Sequence, residues 1–353
     1  DDMSDCKDIA EIIEDYRYED RKSGALGISI DKSHVEKWID QFPENQDIIL
    51  RKTKKLLDNF YYSQAQTYAF LKMVAMYNEW GDPKDIMEKA YFLDCQTEGH
   101  SQHSLLDMME QVVQECYHVQ IKRTNRAVEG EALYLYLDDG LFSGKTLVQD
   151  MQSLIPDIQE GSEIIAIFMV CYSFGAWWAN RRVEEMFGKK QLYFRFLYQR
   201  HLENSSGTKY PFDCLRPTKY QSDALDRYIE ILEAEHQRTP KKKLLLYRDS
   251  SLPKSELFGS EEKRLVLEKG LMEAGLKIYN LAQNQAEYMR PMGFDNRISL
   301  GFGAFFSTFM NMANNCPLAY WWGDPGAGEW HPFSRWYPLL PRRAHDNTGY
   351  CSW

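Results

Sequence analysis

Two adjacent carboxylates, Asp138 and Asp139, are followed by Gly140, Leu141, Phe142, Ser143 and Gly144, and then by Lys145 and Thr146. The carboxylates accept hydrogen bonds from sugar hydroxyls but repel a bare phosphate chain. A glycine turn that opens a helix turns its backbone N–H groups toward an anion. Ser143 and Thr146 add hydroxyls to that cradle. The ligand that suits both halves is a ribose bearing a 5′-phosphate. Asp138 and Asp139 would hold two ribose hydroxyls and form the candidate catalytic pair. Gly140, Leu141, Phe142, Ser143, Gly144, Lys145 and Thr146 would surround the phosphate.

Two other readings compete for this stretch. Gly140, Gly144, Lys145 and Thr146 look like a nucleotide-binding P-loop, but only three residues separate the glycines where that loop needs four. Asp139 stands where its first glycine would be. The plainer alternative is a strand–turn–helix in which Asp138 and Asp139 merely cap the helix. Two acids, two glycines and two hydroxyls are more than capping requires.

The elements that must position these groups are legible in outline. Residues 133–137 form an apolar run with little periodicity, which predicts a strand buried on both faces. The same pattern predicts strands over 164–172 and 192–198, separated by helices over 144–154 and 176–187. Strands spaced by such helices imply right-handed crossovers and an α/β fold with a mostly parallel sheet. A second strand–polar turn–helix unit spans a strand at 91–96, a turn at 97–104 and a helix at 105–115. Gly99, Ser101 and Ser104 offer amides and hydroxyls there, and His100 and His103 form a pair that lacks a third metal ligand. Residues 117–122 are expected as an edge strand, with a polar connector over 123–130.

On either side, helices are expected over 9–16, 35–42 (capped by Ser33), 49–60 and 63–80, and later over 222–235 and 260–274, the last stopped by Gly275. A long polar loop covers 203–220. The tail is rich in aromatics, including Trp321, Trp322, Trp330 and Trp336, and is expected to be core; Asn314, Asn315 and Arg342 are its polar residues most worth testing.

The 353 residues carry a net charge of −10 and an apolar fraction of 44%. A folded globular protein is expected, with no strong direct binding to nucleic acid, which needs a basic footprint. No apolar run approaches the ~18 residues of a membrane span. Met3 is the expected natural start, and no basic segment followed by an apolar core marks a leader. The cysteines, Cys6, Cys95, Cys116, Cys171, Cys214, Cys316 and Cys351, are scattered and odd in number, as suits reduced thiols in a cytoplasm.

The stretch 133–147 resembles the phosphoribosyl pyrophosphate (PRPP) loop of type I phosphoribosyltransferases: an apolar strand, two acids, a short spacer, then Thr-Gly-x-Thr, with Ser143 in place of the first Thr. The chain as a whole resembles phosphoribosyltransferase-like proteins of bacterial conflict systems. That likeness rests on Trp38-Ile39-Asp40-Gln41-Phe42-Pro43, on the loop, and on Asn314-Asn315-Cys316-Pro317-Leu318-Ala319-Tyr320-Trp321-Trp322 with Pro341-Arg342-Arg343. The resemblance implies a Rossmann-like core over 86–202, an added helical segment over 1–85, and a C-terminal α+β extension over 203–353. It implies Mg²⁺, held indirectly by Asp138 and Asp139, and a pyrophosphate loop made by Gly99, His100, Ser101 and Ser104. It further implies an anti-phage effector or toxin, glycosyltransferase-like in chemistry, held by a partner such as a retron reverse transcriptase–nucleic acid complex. The alternative is a catalytically degenerate module that binds PRPP or a nucleotide as a signal. One departure bears on this. Where the purine-salvage branch has a proton-moving carboxylate in the loop, this chain has Phe142.

Overall fold

The computed structural model describes residues 2–96, 101–205, 209–282 and 285–343. The chain divides into two compact units, one formed by Asp1–Ser63 with Ser206–Trp353, the other by Gln64–Ser205.

The first unit opens with helices α1 (Asp2–Ile12), α2 (Tyr18–Ser23), α3 (Lys32–Ile39) and α4 (Gln46–Phe60). The cap of α3 is Asp31, whose carboxylate accepts from the His34 N–H at 3.0 Å, rather than the expected Ser33, which lies in the first turn. In α4 the buried residues Ile49, Leu50, Thr53, Leu56, Leu57 and Phe60 recur at helical spacing. The helix ends where β1 (Tyr61–Tyr62) turns extended to pair with a later strand.

The second unit contains α5 (Gln64–Ala75), α6 (Pro83–Lys89), β2 (Tyr91–Leu93), α7 (Ser101–Tyr117), β3 (Lys122–Thr124), β4 (Leu133–Leu141), α8 (Lys145–Leu154), β5 (Glu163–Tyr172), α9 (Ser173–Phe187) and β6 (Tyr193–Leu202). Among the described residues its strands form a five-stranded sheet in the order β3-β2-β4-β5-β6, and every pair is parallel. β4 and β5 are buried nearly throughout, as continuous apolar strands in a helix-covered sheet should be. β6 does not share that burial. It is an edge strand of mixed exposure, with Tyr193 at 59% and Tyr198 at 41%. The edge strand expected over 117–122 falls at Lys122–Thr124 instead, because α7 runs on to Tyr117.

In chain order the five strands lie 2-1-3-4-5. That order reverses between β2 and β4, and ligands of open α/β sheets bind at the carboxyl ends of the strands beside such a reversal. The loops after β2 and β4 therefore flank the crevice of the sheet.

The first unit resumes with α10 (Asp223–Arg238), β7 (Leu244–Leu245), α11 (Glu261–Leu281), β8 (Ile298–Ser299), β9 (Ser307–Thr308) and α12 (Leu318–Trp321). β1 pairs with β9 and β7 with β8. Gly275 does not stop α11, which continues to Leu281. A Cβ at Gly275 would sit 2.5 Å from the Pro291 carbonyl oxygen, so this glycine lets a helix and a loop backbone touch. Trp321, Trp322 and Trp336 are buried, in keeping with a tail that serves as core, but Trp330 is 93% exposed and does not join it. No helix among the described residues is long and apolar enough to cross a membrane.

Candidate functional site

β4 does not end at its acids. Pairing with β5 continues through Asp138–Phe168, Gly140–Val170 and Leu141–Cys171, so Asp138 and Asp139 lie within the strand. Successive side chains of a strand point to opposite faces, so the two carboxylates diverge.

Asp138 is 8% exposed. Its Oδ2 accepts from Gln96 Nε2 at 3.0 Å; its Oδ1 accepts from Ser101 Oγ at 3.1 Å and from the Asp139 N–H at 2.9 Å. Gln96 follows β2 and Ser101 opens α7. The acid inside β4 thus bridges to Gln96, just after β2, and to the first turn of α7. Burial pushes its pKa above the ordinary carboxylate value; the bonds from Asp139, Gln96 and Ser101 oppose the rise, and Asp150 adds to it. Asp150 is itself raised by burial, against a 2.7 Å hydrogen bond from Tyr136 Oη. A carboxylate has about four lone-pair sites, and protein donors occupy most of those on Asp138. Asp139, half-buried, is the more open of the two.

The turn after β4 is pressed against α9. Gly144 has φ 78°, and a Cβ there would lie 2.7 Å from the Gly175 carbonyl oxygen. A Cβ at Gly175 would lie 1.9 Å from the Phe142 carbonyl oxygen. The Phe142 ring stacks on Tyr172, with centroids 5.6 Å apart. Gly140 and Gly144 therefore serve close packing within the protein as well as the turn itself. Ser143 Oγ accepts from the Lys145 N–H at 3.3 Å, and Lys145 and Thr146 stand exposed in the first turn of α8.

Around the second loop, the helix starts four residues before the expected 105, so Ser101 and Ser104 belong to α7 rather than to a loop. Gly99 and His100 lie outside the described residues. The first turn of α7 also contains Gln102, a residue to which sequence reasoning gave no role. It is fully buried, and its Oε1 accepts from the N–H groups of Cys95 and Gln96 at 3.0 and 3.1 Å. The signal was present: Gln102 falls in the same buried stripe as Leu106, Met109 and Val113. His103 contacts Asp94 through Nδ1 at 3.3 Å. Among the described residues no three His, Cys, Asp or Glu side chains are grouped to hold a metal ion.

A family model, PRTase-CE, matches residues 35–342. The chain belongs to the PRTase-CE family. It is a phosphoribosyltransferase-like domain of conflict systems, with the α/β fold and all-parallel sheet described above. Among solved structures, the AQ2163 protein from Aquifex aeolicus is similar at 14% identity over 51% of this chain and 86% of that one, with a TM-score of 0.26. No curated protein matches.

Proposed function

We propose that this PRTase-CE chain binds Mg²⁺–PRPP, or a related ribose phosphate, in the crevice between β2 and β4. It acts there as a glycosyltransferase-type effector of anti-phage defence, in a cytoplasm, held by a partner such as a reverse transcriptase–nucleic acid complex. The observation that carries the site is the bridge from Asp138 to Gln96 and Ser101, which joins the two loops beside the sheet's reversal.

In this reading Asp139, the more open carboxylate, takes the ribose hydroxyls, and Asp138 braces the residues around them through Gln96 and Ser101. Residues 140–146 hold the 5′-phosphate at the start of α8. Ser101, Ser104, Gly99 and His100 form the pyrophosphate side. The ion would be bound chiefly by the substrate's own oxygens and by water, with Asp138 and Asp139 in indirect contact. When bound, Mg²⁺ supplies electrophilic stabilisation to the departing pyrophosphate. The chain's own work is to fix the sugar so that displacement at C1′ occurs from one geometry. The net charge of −10 favours reaching nucleic acid through a protein partner.

A second reading, a ligand-binding module without turnover, is favoured by Phe142, which moves no proton and is stacked on Tyr172. Calorimetry with Mg²⁺–PRPP on the unmodified chain and on Asp138→Asn/Asp139→Asn tests the site. Binding by the first and its loss in the second are expected; equal heats in both, or none in either, would remove the assignment. Release of pyrophosphate on turnover separates the enzyme from the signal-binding module.

A further inference from the structure

One edge of the five-stranded sheet is β6, and among the described residues it pairs with β5 alone. At ten residues it is about twice the commonest strand length. Its register with β5 runs from Glu163–Tyr193 to Tyr172–Leu202 without a slip. It contains no proline and no lysine. Those residues, with bulges and short strands, are the devices by which proteins keep an edge from pairing with another chain. The charge of Arg195, which could serve the same purpose, is met by Glu163. In place of such devices the edge offers Tyr193, Phe194, Phe196, Leu197 and Tyr198, with Tyr193 59% and Tyr198 41% exposed.

The backbone decides how a second strand can add. The Tyr193 N–H donates to the Ser162 carbonyl at 3.1 Å, so Tyr193 turns its backbone toward β5. In a parallel pair this alternates along the strand. Arg195 and Leu197 face β5 in the same way, and Phe194, Phe196 and Tyr198 direct N–H and C=O outward. An antiparallel copy of β6 must place outward residues opposite outward residues. Across a two-fold axis that happens only when the axis passes through a residue, not between two. The register that would set Arg195 against Arg200 is thereby excluded. Of the registers left, axes at Leu197 and Tyr198 overlap most of the strand. The axis at Tyr198 sets Arg195 against His201. The axis at Leu197 sets Arg195 against Gln199, Arg200 against Phe194, Tyr193 against His201 and Phe196 against Tyr198. No like charges meet there, and aromatic pairs flank the centre.

We propose that β6 is a self-association surface. A second copy of this chain pairs with it antiparallel, about a two-fold axis at Leu197, and the two sheets join into one. Phe196 and the second copy's Tyr198 then exchange both of their backbone hydrogen bonds. The two Leu197 residues form a non-hydrogen-bonded pair, with Cα atoms about 4.5 Å apart. The inference does not depend on the ribose-phosphate reading.

Sedimentation of the full chain over a range of concentrations tests the surface. A dimer of twice the chain mass is expected. Tyr198→Pro removes an outward N–H that the pairing with β5 does not use, at a side chain already exposed, so the fold is kept, as circular dichroism would show. The dissociation constant of this variant should rise about tenfold or more. Leu197→Cys tests the register independently. Two cysteines at a non-hydrogen-bonded pair lie within disulfide reach, so mild oxidation should give a band of doubled mass on a non-reducing gel. Arg195→Cys, opposite Gln199, should give none beyond that of the unmodified chain. A chain that stays monomeric at every concentration overturns the proposal, including one whose edge is taken only by a different protein. So does a dimer that Tyr198→Pro leaves intact, or one in which Leu197→Cys crosslinks no better than Arg195→Cys. Should Tyr198→Pro unfold, the crosslink alone decides.

Discussion

Asp138 keeps a carboxylate where little water reaches it, and the cost shows in its titration. Burial raises its pKa above the ordinary 3.8. Between that value and the raised one, the folded chain holds a proton that the unfolded chain has released. The site's contribution to stability therefore grows as pH falls through the folded pKa toward 3.8, and is lost as pH rises. Asp138→Asn abolishes this dependence. The stability difference between wild type and variant, measured by urea unfolding at a series of pH values, should shift in favour of the wild type as the solution is acidified from neutrality. A difference that stays flat would mean that the acid is not buried as described.

The element that shapes the crevice is α7. Its first turn supplies Ser101 to Asp138 and Gln102 to the amides of Cys95 and Gln96, so the helix is tied to β4 by the first and to the residues after β2 by the second. Gln102→Leu keeps the bulk and removes the acceptor. Each buried N–H left unmatched costs about 1–3 kcal/mol. The expected result is a lower urea midpoint, with faster hydrogen exchange at Cys95 and Gln96 while Met109, further along the helix, stays protected. Unchanged exchange at Cys95 and Gln96 would show that the loop holds itself without Gln102. The same dependence on close contact governs the turn after β4, where Gly144 and Gly175 leave no room for a side chain between turn and helix.

At the scale of the molecule, one unit is assembled from both ends of the chain. Trp38, from α3, is fully buried; it stacks on Tyr320 with centroids 5.5 Å apart and donates its Nε1–H to the Ala319 carbonyl at 2.9 Å. Tyr16 Oη reaches the Pro341 carbonyl at 2.9 Å, and Thr53 Oγ1 lies 2.9 Å from Tyr320 Oη. Trp38→Ala should cost about 3–5 kcal/mol. Its signature in hydrogen exchange would be simultaneous loss of protection in α3 and α12, residues almost three hundred positions apart. Loss in α3 alone, with α12 untouched, would contradict a shared core.

The sequence by itself determined the central strands and the turn between strand and helix. A strand buried on both faces must be apolar throughout, and a sharp turn into a helix must use glycines and hydroxyls; both demands fall on consecutive residues, so residues 133–147 displayed them. It determined far less wherever a residue answers to a partner distant in the chain. β3, with Lys122, Arg123 and Thr124, has no apolar pattern and exists because Tyr91–Leu93 offers it a hydrogen-bonding edge. Gly275 reads as a helix stop until Pro291 is found against it. Gln102 looks like an ordinary polar residue until its burial and backbone partners are known. Only the tertiary structure decided that Asp138 and Asp139 face apart, that the strand order reverses between β2 and β4, and that the two ends of the chain share one core. Hydrogen bonds and contacts across long separations leave no periodicity in the chain that makes them.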